Sequence, residues 1–219
     1  MFVKVCGLAT TADIDVAAEA GADAIGLVIS RTSVRGLDWD RAVALAAHVP
    51  SHVRSVLVVN DTAAADAARA ANELGVDALQ LHGTYTRADF DEAARTFPRL
   101  WRATSLNEKP DTRVGAYGEE VLLLDSPRAG SGARWDLSLL DAARPEGAWL
   151  LAGGLGPDNV AEAIRQADPW GVDVSSGVES APGVKDHARI HAFVTAARTA
   201  AGRDHGQPQD RGREQDRGR

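Results

Sequence analysis

A cysteine at position 6 and an aspartate at position 125 each close a short apolar run and precede a loop. Phe2-Val3-Lys4-Val5-Cys6 leads into Gly7, and Val121-Leu122-Leu123-Leu124-Asp125 leads into Ser126. A thiol and a carboxyl group can both carry protons, so the pair suits acid–base work wherever a fold brings them together. Cys6 is the chain's single cysteine, which excludes an internal disulfide and a Cys-based zinc site. It is either an inert buried residue or a reactive thiol, and its position must decide.

Three further segments are suited to an anion. They are Gly130-Ser131-Gly132, Gly153-Gly154-Leu155-Gly156-Pro157, and Ser175-Ser176-Gly177. Glycine allows backbone amides to approach an anion closely, and a helix N-terminus adds an oriented dipole. Pro157 suits the start of a helix, which would aim the amides of Gly153–Gly156 at a ligand. The expected phosphate-binding set is Gly130, Gly132, Gly153, Gly154, Ser175, Ser176 and Gly177.

These residues need elements to position them. Short β-branched runs alternate with longer Ala-rich amphipathic runs along residues 1–201. Strands are expected at Phe2–Val5, Ala24–Ile29, Val53–Val59, Ala78–Leu81, Leu100–Ala103, Val121–Leu124, Trp149–Ala152 and Val172–Val174. Helices are expected at Thr11–Ala20, Asp38–Ala47, Ala63–Leu74, Arg87–Thr96, Pro157–Ala167 and Val184–Ala201, with a short, weakly written one within Asn107–Tyr117. Strands alternating with helices imply a parallel sheet with right-handed crossovers. Eight such units in about 200 residues fit an α/β fold of the (β/α)8 TIM-barrel type, with an open doubly wound sheet as the alternative. An internal repeat favours the barrel. Glu19-Ala20-Gly21-Ala22-Asp23-Ala24 recurs as Glu73-Leu74-Gly75-Val76-Asp77-Ala78, and Gly171-Val172-Asp173-Val174 is a shorter echo. Each reads as a helix capped by glycine before a tight turn into a strand.

In such a barrel the outer strand face lies under helices and is apolar, while the other face fills the lumen. Period-2 alternation then turns Val3, Val5, Leu79, Leu81, Leu122, Leu124, Val172 and Val174 outward. It turns Lys4, Cys6, Gln80, His82, Asp125, Asp173 and Ser175 inward, many of them at the C-terminal strand ends where barrels build their sites. Lys4 and Asp173, on the adjacent strands one and eight, read equally as functional groups or as a buried ion pair.

Composition narrows the function classes. The 219-residue chain is 44% hydrophobic and 25% charged, as in a globular protein with one sizeable core. Its net charge of −7 argues against a nucleic-acid partner. No apolar stretch is long enough for a membrane span, and the N-terminus is not a signal peptide, so a cytoplasmic location is expected. Residues 202–219 repeat Gln-Asp-Arg-Gly-Arg at 209–213 and 215–219 without an apolar anchor. They are expected to be a disordered polar tail on a single domain of residues 1–201.

Taken together, these motifs resemble the phosphoribosylanthranilate isomerase family of tryptophan biosynthesis. The resemblance runs along residues 3–194. It is carried by Lys4-Val5-Cys6-Gly7, Ala20-Gly21-Ala22-Asp23-Ala24-Ile25-Gly26, Gln80-Leu81-His82-Gly83, Leu123-Leu124-Asp125, Gly130-Ser131-Gly132 with Trp135-Asp136, Ala152-Gly153-Gly154-Leu155, and Asp173-Val174-Ser175-Ser176-Gly177-Val178-Glu179-Ser180 followed by Pro182-Gly183 and Lys185-Asp186. It implies a cofactor-free Amadori rearrangement of a small phosphorylated substrate, N-(5-phosphoribosyl)anthranilate. Cys6 would be the general base, Asp125 the general acid, and Arg35 the partner of the anthranilate carboxylate, with Gln80 and His82 also in the substrate-binding set. Lys4 would lend Cys6 thiolate character, and an apolar setting beside Leu123 would help Asp125 keep a proton. The chain departs from the family after Gly132, where Ala133 and Arg134 replace the usual Lys, and at Ser30-Arg31-Thr32-Ser33, which lacks an aromatic. A barrel isomerase of histidine biosynthesis would use two aspartates, which Cys6 argues against. A non-catalytic or altered-substrate phosphate-binding paralogue is the alternative, although it would have no need of Cys6 and Asp125. A monomer and a homodimer are both compatible with the sequence.

Overall fold

The computed structural model describes residues 1–108, 110–125, 140 and 144–203. Eight parallel strands close into a barrel in chain order: β1 (Phe2–Cys6), β2 (Ala24–Ile29), β3 (Arg54–Val59), β4 (Ala78–His82), β5 (Leu100–Ser105), β6 (Val121–Asp125), β7 (Trp149–Leu151) and β8 (Gly171–Val174). The ladder between β8 and β1 sets Lys4 opposite Asp173 and rules out the open sheet. Helices α1 (Thr11–Glu19), α2 (Trp39–His48), α3 (Ala64–Leu74), α4 (Arg87–Ala94), α5 (Val160–Ala167) and α6 (His187–Arg203) follow their strands. A hairpin of β9 (Glu179–Ala181) and β10 (Val184–Lys185), which the sequence reading missed, lies between β8 and α6. Residues 204–219, most of the expected tail, lie outside the described residues.

Local chemistry fixes the helix starts. Thr10 and Thr86 each accept a hydrogen bond from the amide of an aspartate three residues on, and that aspartate's side chain accepts from the threonine amide in return. This satisfies two donors that a helix N-terminus otherwise leaves unpaired. The period-2 assignment is observed. Val3, Val5, Leu122, Leu124, Val172 and Val174 belong to the shell between barrel and helices, while Cys6, Ala78 and Leu123 pack in the lumen. At the N-terminal end of the strands, Phe2 stacks on Trp170 at 4.5 Å and meets Trp101 edge-on at 6.1 Å. These rings block that end of the lumen, which leaves the opposite end to open.

The internal repeat has a physical meaning in its first two copies. Asp23 accepts from the Val3 amide (2.7 Å) and donates its own amide to the Val3 carbonyl (2.8 Å). Asp77 does the same to Ser55 (2.9 and 2.9 Å). Each aspartate thereby pins the start of its strand to the neighbouring strand. The third echo is different. Helix α5 ends at Asp168 in the left-handed conformation (φ 44°), Gly171 lies inside β8, and Asp173 faces the lumen.

The segment between β5 and β6 also departs from expectation. Residues 106–108 form a single 3-10 turn, and no α-helix occurs among the described residues from 107 to 117. Arg102, on the outer face of β5, takes over the task of the helix. Its Nε donates to Glu119 (2.7 Å), Nη2 donates to the carbonyls of Asp111 (2.8 Å) and Arg113 (3.3 Å), and its guanidinium lies 4.6 Å from the Tyr117 ring centroid. The pair is almost fully buried, at 4% and 0% side-chain exposure. Removing one member of a buried ion pair costs about 3–5 kcal/mol, because the other charge is stranded. Arg102→Met is therefore expected to lower the thermal midpoint by on the order of 10 °C. Calorimetry checks this, and an unchanged midpoint would show that the loop holds itself.

Candidate active site

With one end blocked, the C-terminal strand ends surround a cavity of about 320 Å³. Cys6 and Asp125, the last residues of β1 and β6, both line it. Arg35 from the β2–α2 connection and Gln80 and His82 from β4 also line it, as do Gly153, Gly154, Ser175 and Ser176 from the connections after β7 and β8. Asn60 and Ser33, which the sequence reading did not single out, are part of the wall. Asn60 directly follows the last residue of β3, so the strand-end rule applied to that strand would have found it.

Cys6 owes its seat to Gly26, its register partner on β2. A Cβ at position 26 would stand 2.6 Å from the Cys6 sulfur, well inside contact distance. The sulfur is thus held between strands, with the residue 8% exposed. Its electrostatics correct the expectation of a ready thiolate. Burial pushes the Cys6 thiol above its ordinary range, Lys4 and Lys185 pull it down, and Asp173 pushes it up again. Lys4 is fully buried and bonded to Asp173 at 2.7 Å. Burial alone would lower the Lys4 pKa, but Asp173 and Cys6 hold it above its ordinary value. Much of the cation's influence is therefore spent on a carboxylate rather than on the sulfur.

Across the cavity, the Asp125 carboxylate lies 3.8 Å from His82 Nε2, a charge-pair distance too long for a direct hydrogen bond. Gln80 is 1% exposed, and its Oε1 is buried without a hydrogen-bond partner among the described residues. Such an oxygen carries a desolvation cost until a donor reaches it.

The described residues expected to bind an anion are divided between the cavity wall and positions away from it. Gly153 and Gly154 both take positive φ (79° and 66°), and neither amide is taken by another described residue. The Gly156 amide is not available, because it donates to Asn159 Oδ1 at 2.8 Å. Pro157 does not begin the helix; α5 starts at Val160, after a turn over residues 157–159. Asn159 closes that turn by also donating to the Gly154 carbonyl (2.8 Å), which explains the later start. Ser175 and Ser176 face the cavity, while Gly177 sits behind them with its carbonyl held by Arg189 at 3.0 and 3.1 Å. Gly130 and Gly132, with Arg128, Ala133 and Arg134, lie outside the described residues.

Arg35 already has a carboxylate partner. Its Nε and Nη2 donate to the two oxygens of Glu179 at 2.6 and 2.7 Å. Lys185 Nζ donates to Glu179 Oε1 (2.9 Å) and to the Ser175 carbonyl (2.9 Å). Burial alone would raise the Glu179 pKa, but hydrogen bonds from Arg35 and Lys185 hold it below the ordinary carboxylate range. Glu179 and Lys185 were visible in the sequence as part of a motif, yet nothing local in it assigned them a task.

A family model described as N-(5'phosphoribosyl)anthranilate (PRA) isomerase matches residues 3–196. An N-(5'-phosphoribosyl)anthranilate isomerase of Magnetococcus marinus is 42% identical over 207 residues, covering 90% of this chain and 95% of that protein. The crystal structure of TrpF from Jonesia denitrificans superposes with a TM-score of 0.87 at 57% identity, covering 92% of this chain and 98% of that one. A phosphoribosyl anthranilate isomerase in complex with reduced 1-(o-carboxyphenylamino)-1-deoxyribulose 5-phosphate superposes with a TM-score of 0.77 at 30% identity, covering 91% and 99%.

Proposed function

The chain belongs to the phosphoribosylanthranilate isomerase family, and from that premise we propose how its own residues carry out the reaction. The reaction is the isomerisation of N-(5-phosphoribosyl)anthranilate to 1-(2-carboxyphenylamino)-1-deoxyribulose 5-phosphate in tryptophan biosynthesis. The observation that carries the assignment of roles is that a thiol and a carboxyl group from strands on opposite sides of the barrel line one cavity, with two backbone amides at its rim that no described residue occupies.

Asp125, in its protonated form, gives its proton to the furanose ring oxygen. The bond from C1′ to that oxygen breaks, and the nitrogen lone pair forms a Schiff base at C1′. The Cys6 thiolate then removes the proton from C2′, and the electron pair becomes the C1′=C2′ bond of an enolamine. Transfer of the C2′ hydroxyl proton and protonation of C1′ give the ketone, so the sequence is neutral in atoms and electrons. Only acid–base chemistry is required. The amides of Gly153 and Gly154, with Ser175 and Ser176, hold the phosphate, as loops after the seventh and eighth strands of barrels commonly do; Gly177, expected in this set, stands behind the serines and does not line the cavity. Gln80 Oε1 accepts from a substrate hydroxyl, and His82 lies beside the acid. Arg35 meets the anthranilate carboxylate with its planar fork.

Complementation of a tryptophan auxotroph that lacks this step tests the reading. The full chain is expected to restore growth and the Cys6→Ala chain to restore little. Equal growth with both would refute the role of the thiol, and growth with neither would refute the activity.

A further inference from the structure

We propose that Glu179 is a positioning residue for substrate recognition, holding one edge of the Arg35 guanidinium so that the other edge meets the substrate carboxylate. The inference rests on the reading of Arg35 as the partner of that carboxylate. A guanidinium is a rigid planar fork with five donors, and it can offer a carboxylate either its Nε–Nη2 side or its Nη1–Nη2 end. Glu179 occupies the side, through bonds of 2.6 and 2.7 Å. None of the described residues hydrogen-bonds Nη1, and Arg35 lines the cavity with 24% of its side chain exposed.

Glu179 is built to stay in place. Oε1 accepts from Arg35 Nε and Lys185 Nζ, and Oε2 accepts from Arg35 Nη2 and the Gly183 amide at 3.2 Å. A carboxylate has about four acceptor sites, so all of them are in use. The Glu179 side chain is 5% exposed and that of Lys185 is 0% exposed. A substrate carboxylate that displaced Glu179 would strip this buried carboxylate of two of its four hydrogen bonds, a heavier cost than binding at the open end of the fork. Lys185 also grips the Ser175 carbonyl, so the β9–β10 hairpin is tied to the end of β8 and carries its glutamate with it. The arrangement removes freedom from a long side chain before the ligand arrives, and such preorganisation strengthens binding.

The test uses titration calorimetry with two ligands on the full chain: reduced 1-(o-carboxyphenylamino)-1-deoxyribulose 5-phosphate and its phenylamino counterpart, which lacks only the carboxylate. Wild-type protein is expected to prefer the carboxylated ligand, and Arg35→Met to lose that preference. Glu179→Gln cannot accept from four donors, and the preference is expected to fall by ~10- to 100-fold, entirely through the carboxylated ligand. An Arg35→Met protein that keeps the preference would remove the premise. If Arg35→Met loses it while Glu179→Gln keeps it, or weakens both ligands alike, Glu179 does not position the arginine. If circular dichroism shows Glu179→Gln to be unfolded, Glu179→Asp gives the same reading with the same outcomes, because it keeps the charge but withdraws it by one methylene.

Discussion

Replacing Cys6 with alanine is expected to lower kcat/KM by ~100- to 10,000-fold, the range typical of a single positioned proton-transfer group. The loss should fall on kcat, with KM little changed, because the residues proposed to hold the phosphate and the carboxylate are other than Cys6. Removing one sulfur facing Gly26 should leave the barrel folded. Cys6→Ser keeps nearly the same volume but offers a much weaker acid, so it is expected to lose as much, which separates chemistry from packing. The pH profile carries a sign. The base must be deprotonated, and burial lifts the Cys6 pKa above the ordinary thiol range even though Lys4 and Lys185 oppose it. In the wild type the thiolate fraction therefore still increases as pH rises past the ordinary thiol range. In Cys6→Ala that dependence is gone, and the residual rate depends only on the acid, so it should fall as pH rises. A variant of near-normal rate, or one whose residual rate still climbs through the thiol range, would assign the base elsewhere.

What could be read from the sequence was what local period and residue type determine. Alternation of β-branched and Ala-rich runs specifies a parallel α/β fold, and period 2 turns Cys6, Gln80, His82 and Asp125 to one side. Those four line one cavity. What could not be read depends on partners distant in the chain. The Lys4–Asp173 bond, across 169 residues, was one of two readings the sequence left open, and the register of β8 on β1 selects it. The Arg35–Glu179 pair spans 144 residues and involves a hairpin of five strand residues in two short pieces, too brief to show a period. The task of Arg102 was not legible for a related reason. An arginine in a strand that should face a helix reads as a solvated end, whereas its fork gathers two carbonyls and a buried carboxylate in the helix's absence. Pro157 shows the limit of single-residue rules. Its fixed φ suits the start of a helix, but Asn159 spends its side chain on Gly154 and Gly156 and delays the helix by a turn.

Asp125→Asn should produce the mirror image of the cysteine variant. The amide keeps the size and most of the hydrogen-bonding shape of the carboxyl group but has no proton to give to the ring oxygen. A loss of ~100- to 10,000-fold in kcat/KM is expected, again with ligand binding retained. Ring opening is the step affected, so a substrate analogue presented already as the open-chain Schiff base should recover more of the rate in Asp125→Asn than in Cys6→Ala. The pH dependence separates the two roles independently of which group titrates first. With the acid gone, only the thiol's ionisation governs the residual rate, which should then rise monotonically with pH and level off above the raised Cys6 pKa. His82, with its Nε2 3.8 Å from the Asp125 carboxylate, is near enough to offer a replacement proton. A second substitution, His82→Gln, in the Asp125→Asn background should therefore lower the remaining rate only if the imidazole has begun to substitute for the carboxyl group. If Asp125→Asn instead shows a residual rate that falls with pH, an acid other than Asp125 is still titrating, and the assignment of the proton donor moves to that group.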